Sequence, residues 1–123
     1  MLTRSEEDHI KAVYALLQED DRAFTKEIAD RLRTKASSVT DMLKKLAEKG
    51  YLKHEPYYGV KLTAKGQILA LQLVRKHRLW ETFLVARLGF GWDEVHEVAE
   101  QLEHVASDKL TDKLDAYLGN PAF

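Results

Sequence analysis

Apolar residues recur at three- and four-residue intervals along most of this chain, the spacing that places them on one face of an α-helix. The first stripe is Ile10, Val13, Tyr14 and Leu17. It follows "SEED", where Ser5 reads as the N-cap with Asp8 as its capping-box partner, and it ends in the polar "QEDDRA". A second helix is expected in "TKEIADRLR", with Thr25 as N-cap and Ile28, Ala29 and Leu32 turned inward. After a break at "TKA", a third starts at Ser37 with the stripe Val39, Met42, Leu43 and Leu46, and Gly50 suits its C′ position. The period then changes. Tyr51 with Leu52, and Val60 with Leu62, read as two short strands around a turn holding Pro56 and Gly59. Thr63 caps a long helical pattern that runs to Leu88, and Gly91 breaks the chain. Asp93 is expected to cap the helix containing "HEVAEQLEHV", and "DKLTDKLDAYL" forms a last helix closed by Gly119.

Helix, helix, short turn, helix and hairpin is the order of a winged helix-turn-helix. The fold class is therefore mainly α: this N-terminal unit followed by an all-helical one. The third helix is narrow enough for a major groove about 12 Å wide. Its first turn, "ASSVTD", offers small hydroxyls and backbone N–H groups to bases and phosphates. Lys44 and Lys45 lie one turn later, and the hairpin with Tyr57, Tyr58 and Lys61 would be the wing. Thr25, Lys35, Ala36, Ser37, Ser38, Thr40, Asp41, Lys44, Lys45 and Tyr58 are the expected DNA-contacting residues. Asp41 fits such a surface only as an acceptor from a cytosine amine or as an intramolecular partner. A winged helix used only for protein contacts is the alternative.

Charge sharpens the picture. The 123 residues carry a net charge of only −1, but it is unevenly spread. Residues 31–65 hold nine Lys or Arg against three acids, and residues 74–123 hold six against nine. A basic segment followed by an acidic one suggests a polyanion-binding lobe joined to something else, although solvated helices also vary in charge. With 32% charged and 45% hydrophobic residues the chain should fold and be soluble. No signal-peptide pattern or long apolar run is present, and cysteine is absent, so a disulfide framework and thiolate metal sites are excluded and a cytoplasmic setting fits.

The acidic half carries the candidate chemistry. At about 100° per residue, His96, Glu100, Glu103 and His104 project over roughly a quarter of one helix, with Val98, Leu102 and Val105 opposite. A solvated polar face would look the same. The long helix adds His77 and Glu81, four residues apart on one face. Two helices each presenting a His/Glu pair could bring them together by antiparallel packing. Imidazole and carboxylate without sulfur favour Mn²⁺, Fe²⁺, Zn²⁺ or Co²⁺.

"SSVTDMLKKLAEKGYL", "LTAKGQ", "VRKHRLWETFL" and "LEHVASD" together resemble the DtxR/MntR family of metal-dependent transcriptional repressors, over a span from about Ser5 to Pro121. The resemblance implies a winged helix-turn-helix DNA-binding domain at 1–73 and a helical dimerisation and metal-binding domain at 74–123. A linking helix from about residue 64 would be shared by both. It implies two metal positions per chain, taking Mn²⁺ or Fe²⁺, and Zn²⁺, Co²⁺ or Cd²⁺ in vitro. The primary position would use Asp8, Glu100, Glu103 and His104, and the ancillary one His77, Glu81 and His96. In the iron-responsive branch, methionine and cysteine typically match Asp8 and Glu100; oxygen donors there lean toward Mn²⁺. Manganese-type members place a second first-helix carboxylate where this chain has Lys11, which departs from their paired-manganese pattern. Longer relatives continue past a stretch like "YLGNPAF" into a small SH3-like domain, which is expected to be absent here.

The resemblance thus implies a metal-activated homodimeric repressor of palindromic operator DNA, controlling metal uptake, with no membrane or small-molecule substrate partner. Leu79, Trp80, Phe83, Leu84, Phe90 and Trp92 are candidates for its dimer surface, or for core. His9 and His54 match no ligand position and read as surface residues. A metal-independent winged-helix protein remains the alternative. An enzyme is not expected, because the sequence offers no nucleophile constellation and no phosphate-cradling glycine loop.

Overall fold

The computed structural model describes residues 2–119, so Pro121 and the last residues of the expected second domain lie outside it. The chain divides into two compact units, Met1–Leu71 and Gln72–Phe123. The elements run α1 (Arg4–Asp20), α2 (Thr25–Leu32), α3 (Ala36–Glu48), β1 (Leu52–Glu55), β2 (Gly59–Leu62), α4 (Ala64–Leu88), α5 (Val95–Leu102) and α6 (Asp108–Tyr117). The chain passes from the first unit to the second within α4.

In the first unit, α1 begins earlier than the Ser5 cap would place it. Thr3 is the N-cap: its side chain accepts from the Glu6 N–H at 3.1 Å, and Glu6 Oε1 accepts from the Thr3 N–H at 2.9 Å. "TRSE" and "SEED" overlap as capping boxes, and the one closed by the longer glutamate forms. The second oxygen of Glu6 accepts from Lys49 Nζ at 2.6 Å, with Lys45 Nζ 3.9 Å away, and the Glu6 residue is only 1% exposed. That lysine bond and the cap hold the Glu6 carboxyl down to about 2 from 4.5, against the desolvation that would raise it.

Two other caps also shift. Phe24 rather than Thr25 is the N-cap of α2, and Lys35 rather than Ser37 that of α3, neither with a side-chain cap bond. The α2–α3 turn is made instead by Arg33 in the left-handed region, whose N–H reaches back to the end of α2. Ile10, Val13, Ile28, Val39, Leu43, Leu46, Leu52 and Val60 form the core, so each apolar stripe faces a common centre. His9 is buried there too, donating from Nδ1 to the Ser5 carbonyl at 2.7 Å, which corrects the surface reading; His54 is exposed.

The hairpin pairs Leu52 with Leu62 and Glu55 with Gly59. It is pinned to the α1–α2 loop. Ala23 donates to the Tyr58 carbonyl and accepts from the Val60 N–H, both at 3.0 Å. Gly59 lies between, at φ +83°, where a Cβ would come within 2.0 Å of the Ala23 carbonyl oxygen. Lys61 Nζ binds Asp21 Oδ1 at 2.6 Å and lies 5.0 Å from the Tyr58 ring centroid.

In the second unit, Leu84, Val95 and Ala99 form the centre of a smaller core, with Trp80, Phe83, Phe90, Val98 and Leu102 packed on it. Arg75 binds Asp115 at 2.7 Å, tying α4 to α6. Ser107 caps α6 by accepting from the Leu110 N–H. No helix among the described residues is long and apolar enough to cross a membrane.

Two predictions follow from the first unit's geometry. Gly59→Ala should lower stability by about 1–3 kcal/mol, because it combines a strained φ with a backbone clash; urea unfolding checks this. The depressed Glu6 carboxyl should contribute stability above about pH 4.5 that is lost as the pH falls toward about 2. Glu6→Gln should therefore flatten the acid limb of the stability curve in that window, as measured by denaturation at stepped pH.

Candidate metal centre and recognition face

The helix quoted from the sequence is shorter than expected and turned. Glu94, not Asp93, is its N-cap, and α5 ends at Leu102, with Glu103 as C-cap and His104 in the turn beyond. Val95 and Ala99 face inward, and Glu103, four residues further on, continues that buried line. Glu103 is 0% exposed, whereas the polar-face reading had put it beside His96. Val105, expected on the apolar face, is exposed past the helix end.

The burial of Glu103 has a partner. His77 on α4 places Nδ1 2.6 Å from Glu103 Oε1. A carboxylate can only accept, so Nδ1 donates, and this bond turns Nε2 away from Glu103 toward the other polar groups. That Nε2 lies 3.3 Å from Glu81 Oε2 and 3.1 Å from His96 Nδ1, and the last two atoms are 3.8 Å apart. Two ligands about 2.1 Å from one ion stand about 3.0–3.4 Å apart, so the two edges that meet at His77 have the dimensions of a metal centre and the third is slightly long. The donor set fits a divalent cation: two imidazole nitrogens, one carboxylate and a second carboxylate that fixes the tautomer. The two imidazole nitrogens stand at hydrogen-bond distance where a cation would sit, so metal binding there would displace the proton of that bond.

The expected ancillary residues His77, Glu81 and His96 are thus brought together, with His77 buried, Glu81 half-buried and His96 exposed. The four expected primary residues divide between the units. In the second unit, Glu100 Oε2 lies 3.7 Å from His96 Nε2, and His104 Nε2 lies 4.0 Å from Glu103 Oε2. Glu103 therefore stands between His77 and His104, one oxygen toward each, a double role that spacing did not reveal. In the first unit, Asp8 is on α1, with Arg4 Nε 3.9 Å from its carboxylate. It is not the capping residue, since Glu6 fills that part.

On the recognition helix, Lys35, Ala36, Ser37, Ser38, Thr40, Asp41 and Lys44 are all exposed, and Thr40 donates to the Ala36 carbonyl. Thr25 is half-buried, and Lys45 is exposed but leans toward Glu6. At the wing, Tyr57 is 89% and Tyr58 42% exposed. Of the six candidate dimer residues, Leu79 and Leu84 are buried within the single chain, where the long helix needs them for its own packing, so they offer no surface to a partner. Trp80, Phe83 and Phe90 are half-buried, and Trp92 is 73% exposed.

The comparisons with known proteins bear on both faces. Residues 1–60 match the family model "Iron dependent repressor, N-terminal DNA binding domain", and residues 63–123 match "Iron dependent repressor, metal binding and dimerisation domain". The HTH-type transcriptional regulator MntR of Lysinibacillus sphaericus is 38% identical over 98% of this chain and 89% of its own length. A solved manganese-dependent transcriptional repressor in complex with manganese is 45% identical, with a TM-score of 0.85, over 94% of this chain and 53% of that one. The metal-dependent transcriptional regulator MtsR is 37% identical, with a TM-score of 0.90, over 99% of this chain and 57% of that one. The chain therefore spans little more than half the length of these solved structures.

Removing the charge that orients His77 should weaken the centre while leaving the fold. Glu103→Gln is expected to lower Zn²⁺ or Mn²⁺ affinity by about 10–100-fold, the usual cost of losing a ligand's orienting partner. Competition against a chromophoric chelator measures this, and unchanged affinity would deny Glu103 any part in the centre.

Proposed function

The chain belongs to the iron-dependent repressor family of metal-dependent transcriptional regulators, and from that premise we propose that it is a homodimeric, cytoplasmic repressor whose operator binding is switched on by Mn²⁺. The observation that carries the metal part is the His77–Glu81–His96 triangle, oriented by the buried Glu103. Donors of this kind are already gathered, because the Glu103 bond holds the His77 ring in one direction. A bound divalent cation would supply the positive charge that holds clustered carboxylates together.

The primary ligand set in this proposal is Asp8, Glu100, Glu103 and His104, three carboxylates and one imidazole. Such hard donors suit Mn²⁺ better than they suit a thiolate-seeking ion, with Fe²⁺ as the competing physiological metal. Lys11 places a cation where the manganese-type pattern has a carboxylate. A second ion beside the primary one is therefore disfavoured, and the ancillary ion belongs at His77, Glu81 and His96. The dimer surface is proposed at Trp80, Phe83, Phe90 and Trp92.

The role is binding, not catalysis. The exposed first turn of α3 reads bases, Lys44 reaches phosphate, and the tyrosine-bearing wing follows the neighbouring groove. Two recognition helices of a dimer must meet half-sites roughly 34 Å apart, so the metal acts by favouring the population of dimers with that spacing. Control of metal uptake follows as the regulated process, because the same ion is both signal and cargo.

Selection from a random duplex pool, at one fixed salt concentration, tests the whole reading. A palindromic site should be recovered with Mn²⁺ and lost with chelator, and Asp8→Ala should lose that metal response while keeping its circular dichroism spectrum. The same site recovered in both conditions would mean that DNA binding is independent of metal.

A further inference from the structure

Glu6 is a buried carboxylate that no metal or DNA role accounts for. It is 1% exposed and sits at the third position of α1, where its Oε1 closes the Thr3 cap. Its Oε2 is held by Lys49 Nζ at 2.6 Å, with Lys45 Nζ at 3.9 Å. Lys45 and Lys49 are one turn apart, so they line the face of the C-terminal half of α3 that meets α1. The rest of the α1–α3 packing named above is apolar: Ile10 and Val13 against the stripe of Val39, Leu43 and Leu46.

These two kinds of contact do different things. Apolar packing is non-directional, so it holds the helices together while tolerating small rotations and slides. A buried ion pair adds little net stability, because desolvation offsets its attraction; what it supplies is direction. We propose that Glu6 is a positioning residue that couples the first turns of α1 to the recognition helix α3 through Lys49.

The coupling rests on reading Asp8 as a metal ligand. Asp8 is two residues beyond Glu6 in the same helix, so the two side chains are carried by one rigid piece of backbone. A displacement of that piece on metal binding moves Glu6, and Glu6 draws Lys49. The exposed Ser37, Ser38, Thr40 and Lys44 lie on the same 13-residue helical stretch and its approach, so they follow. Lys49 is itself steadied, since its carbonyl accepts from Lys65 Nζ at 3.1 Å and the neighbouring Gly50 carbonyl accepts from the Thr63 hydroxyl at 2.6 Å. The pull is therefore taken up as a change in the attitude of α3 and not as fraying of its last turn.

The test measures operator affinity of the full chain with Mn²⁺ and with chelator, by fluorescence anisotropy, and takes the ratio. Glu6→Gln and Lys49→Met should each lower that ratio at least about fivefold, the scale of a typical coupling between sites. The double variant should fall no further than either single one, and Lys49→Arg should restore the ratio. Operator affinity in chelator, Mn²⁺ affinity without DNA and the circular dichroism spectrum should stay as in the parent. Lys49→Met, at a partly exposed position, keeps the test open if Glu6→Gln fails to fold.

A full ratio in Glu6→Gln and Lys49→Met, alongside its loss in Asp8→Ala, overturns the inference and leaves the metal reading standing. A full ratio in Asp8→Ala overturns the reading of Asp8 and the coupling with it. Tighter binding in chelator with a steeper salt dependence, at an unchanged ratio, would mean that Glu6 only masks Lys49 from phosphate, and also overturns it.

Discussion

A carboxylate sealed from water must be met by a donor, and the Glu103–His77 hydrogen bond is the point on which the second unit's chemistry depends. Glu103 has no exposure, so an unanswered charge there would cost several kcal/mol. His77 Nδ1 answers it at 2.6 Å. Because that nitrogen must donate, Nε2 is left facing Glu81 and His96. The direction of the ring and the nitrogen that donates to Glu103 both follow from one buried contact. Glu81 is placed by helix periodicity four residues along α4, and His96 by the packing of Val95 and Ala99 that anchors α5.

That contact is also where the reading of the sequence stops short. Periodicity located the helices, the hairpin and most of the core, because an apolar side chain turned to solvent forfeits burial energy and leaves a regular trace. Gly50 and Gly59 were legible for a related reason: both take positive φ, which few other residues accept. The trace assigns every polar residue outward by default, so His9 was read as surface and the burial of Glu6 and Glu103 left no sign. Glu6 and Glu103 are buried with donors that only the tertiary arrangement provides, and His9 with the Ser5 carbonyl one turn back in its own helix. The caps failed more mildly. Thr3 and Ser5 both head plausible boxes, and the Thr3 box that forms is the one whose carboxylate, Glu6, also meets Lys49, forty-three residues away.

The ligand types were legible before any geometry, and their grouping only partly so. His77 and Glu81 share a helix face by arithmetic, but the approach of His96 depends on how α5 packs. Glu103 shows why grouping by helix angle is insufficient. Its angle is compatible with the polar face, yet it is buried, in line with Val95 and Ala99 on the inward side of α5. A carboxylate carried that deep bonds one imidazole, His77 at 2.6 Å, and lies 4.0 Å from a second, His104.

Glu6 and Glu103 solve the same physical problem with different partners, and the difference suits what each element has to do. Histidine answers Glu103 with a flat ring whose far nitrogen points onward, so the buried charge determines the aim of a donor atom. Lysine answers Glu6 with a long chain that ends in a point charge, so the buried charge determines the distance between two helices and leaves their apolar faces to settle around it. Replacing either pair by apolar side chains of similar size would cost little in burial, since the carboxylates themselves contribute no apolar area. What would be lost is direction: the aim of His77 in one unit and the setting of α3 against α1 in the other. Stability in this chain thus comes chiefly from its aliphatic stripes, and direction from the two charges placed among them.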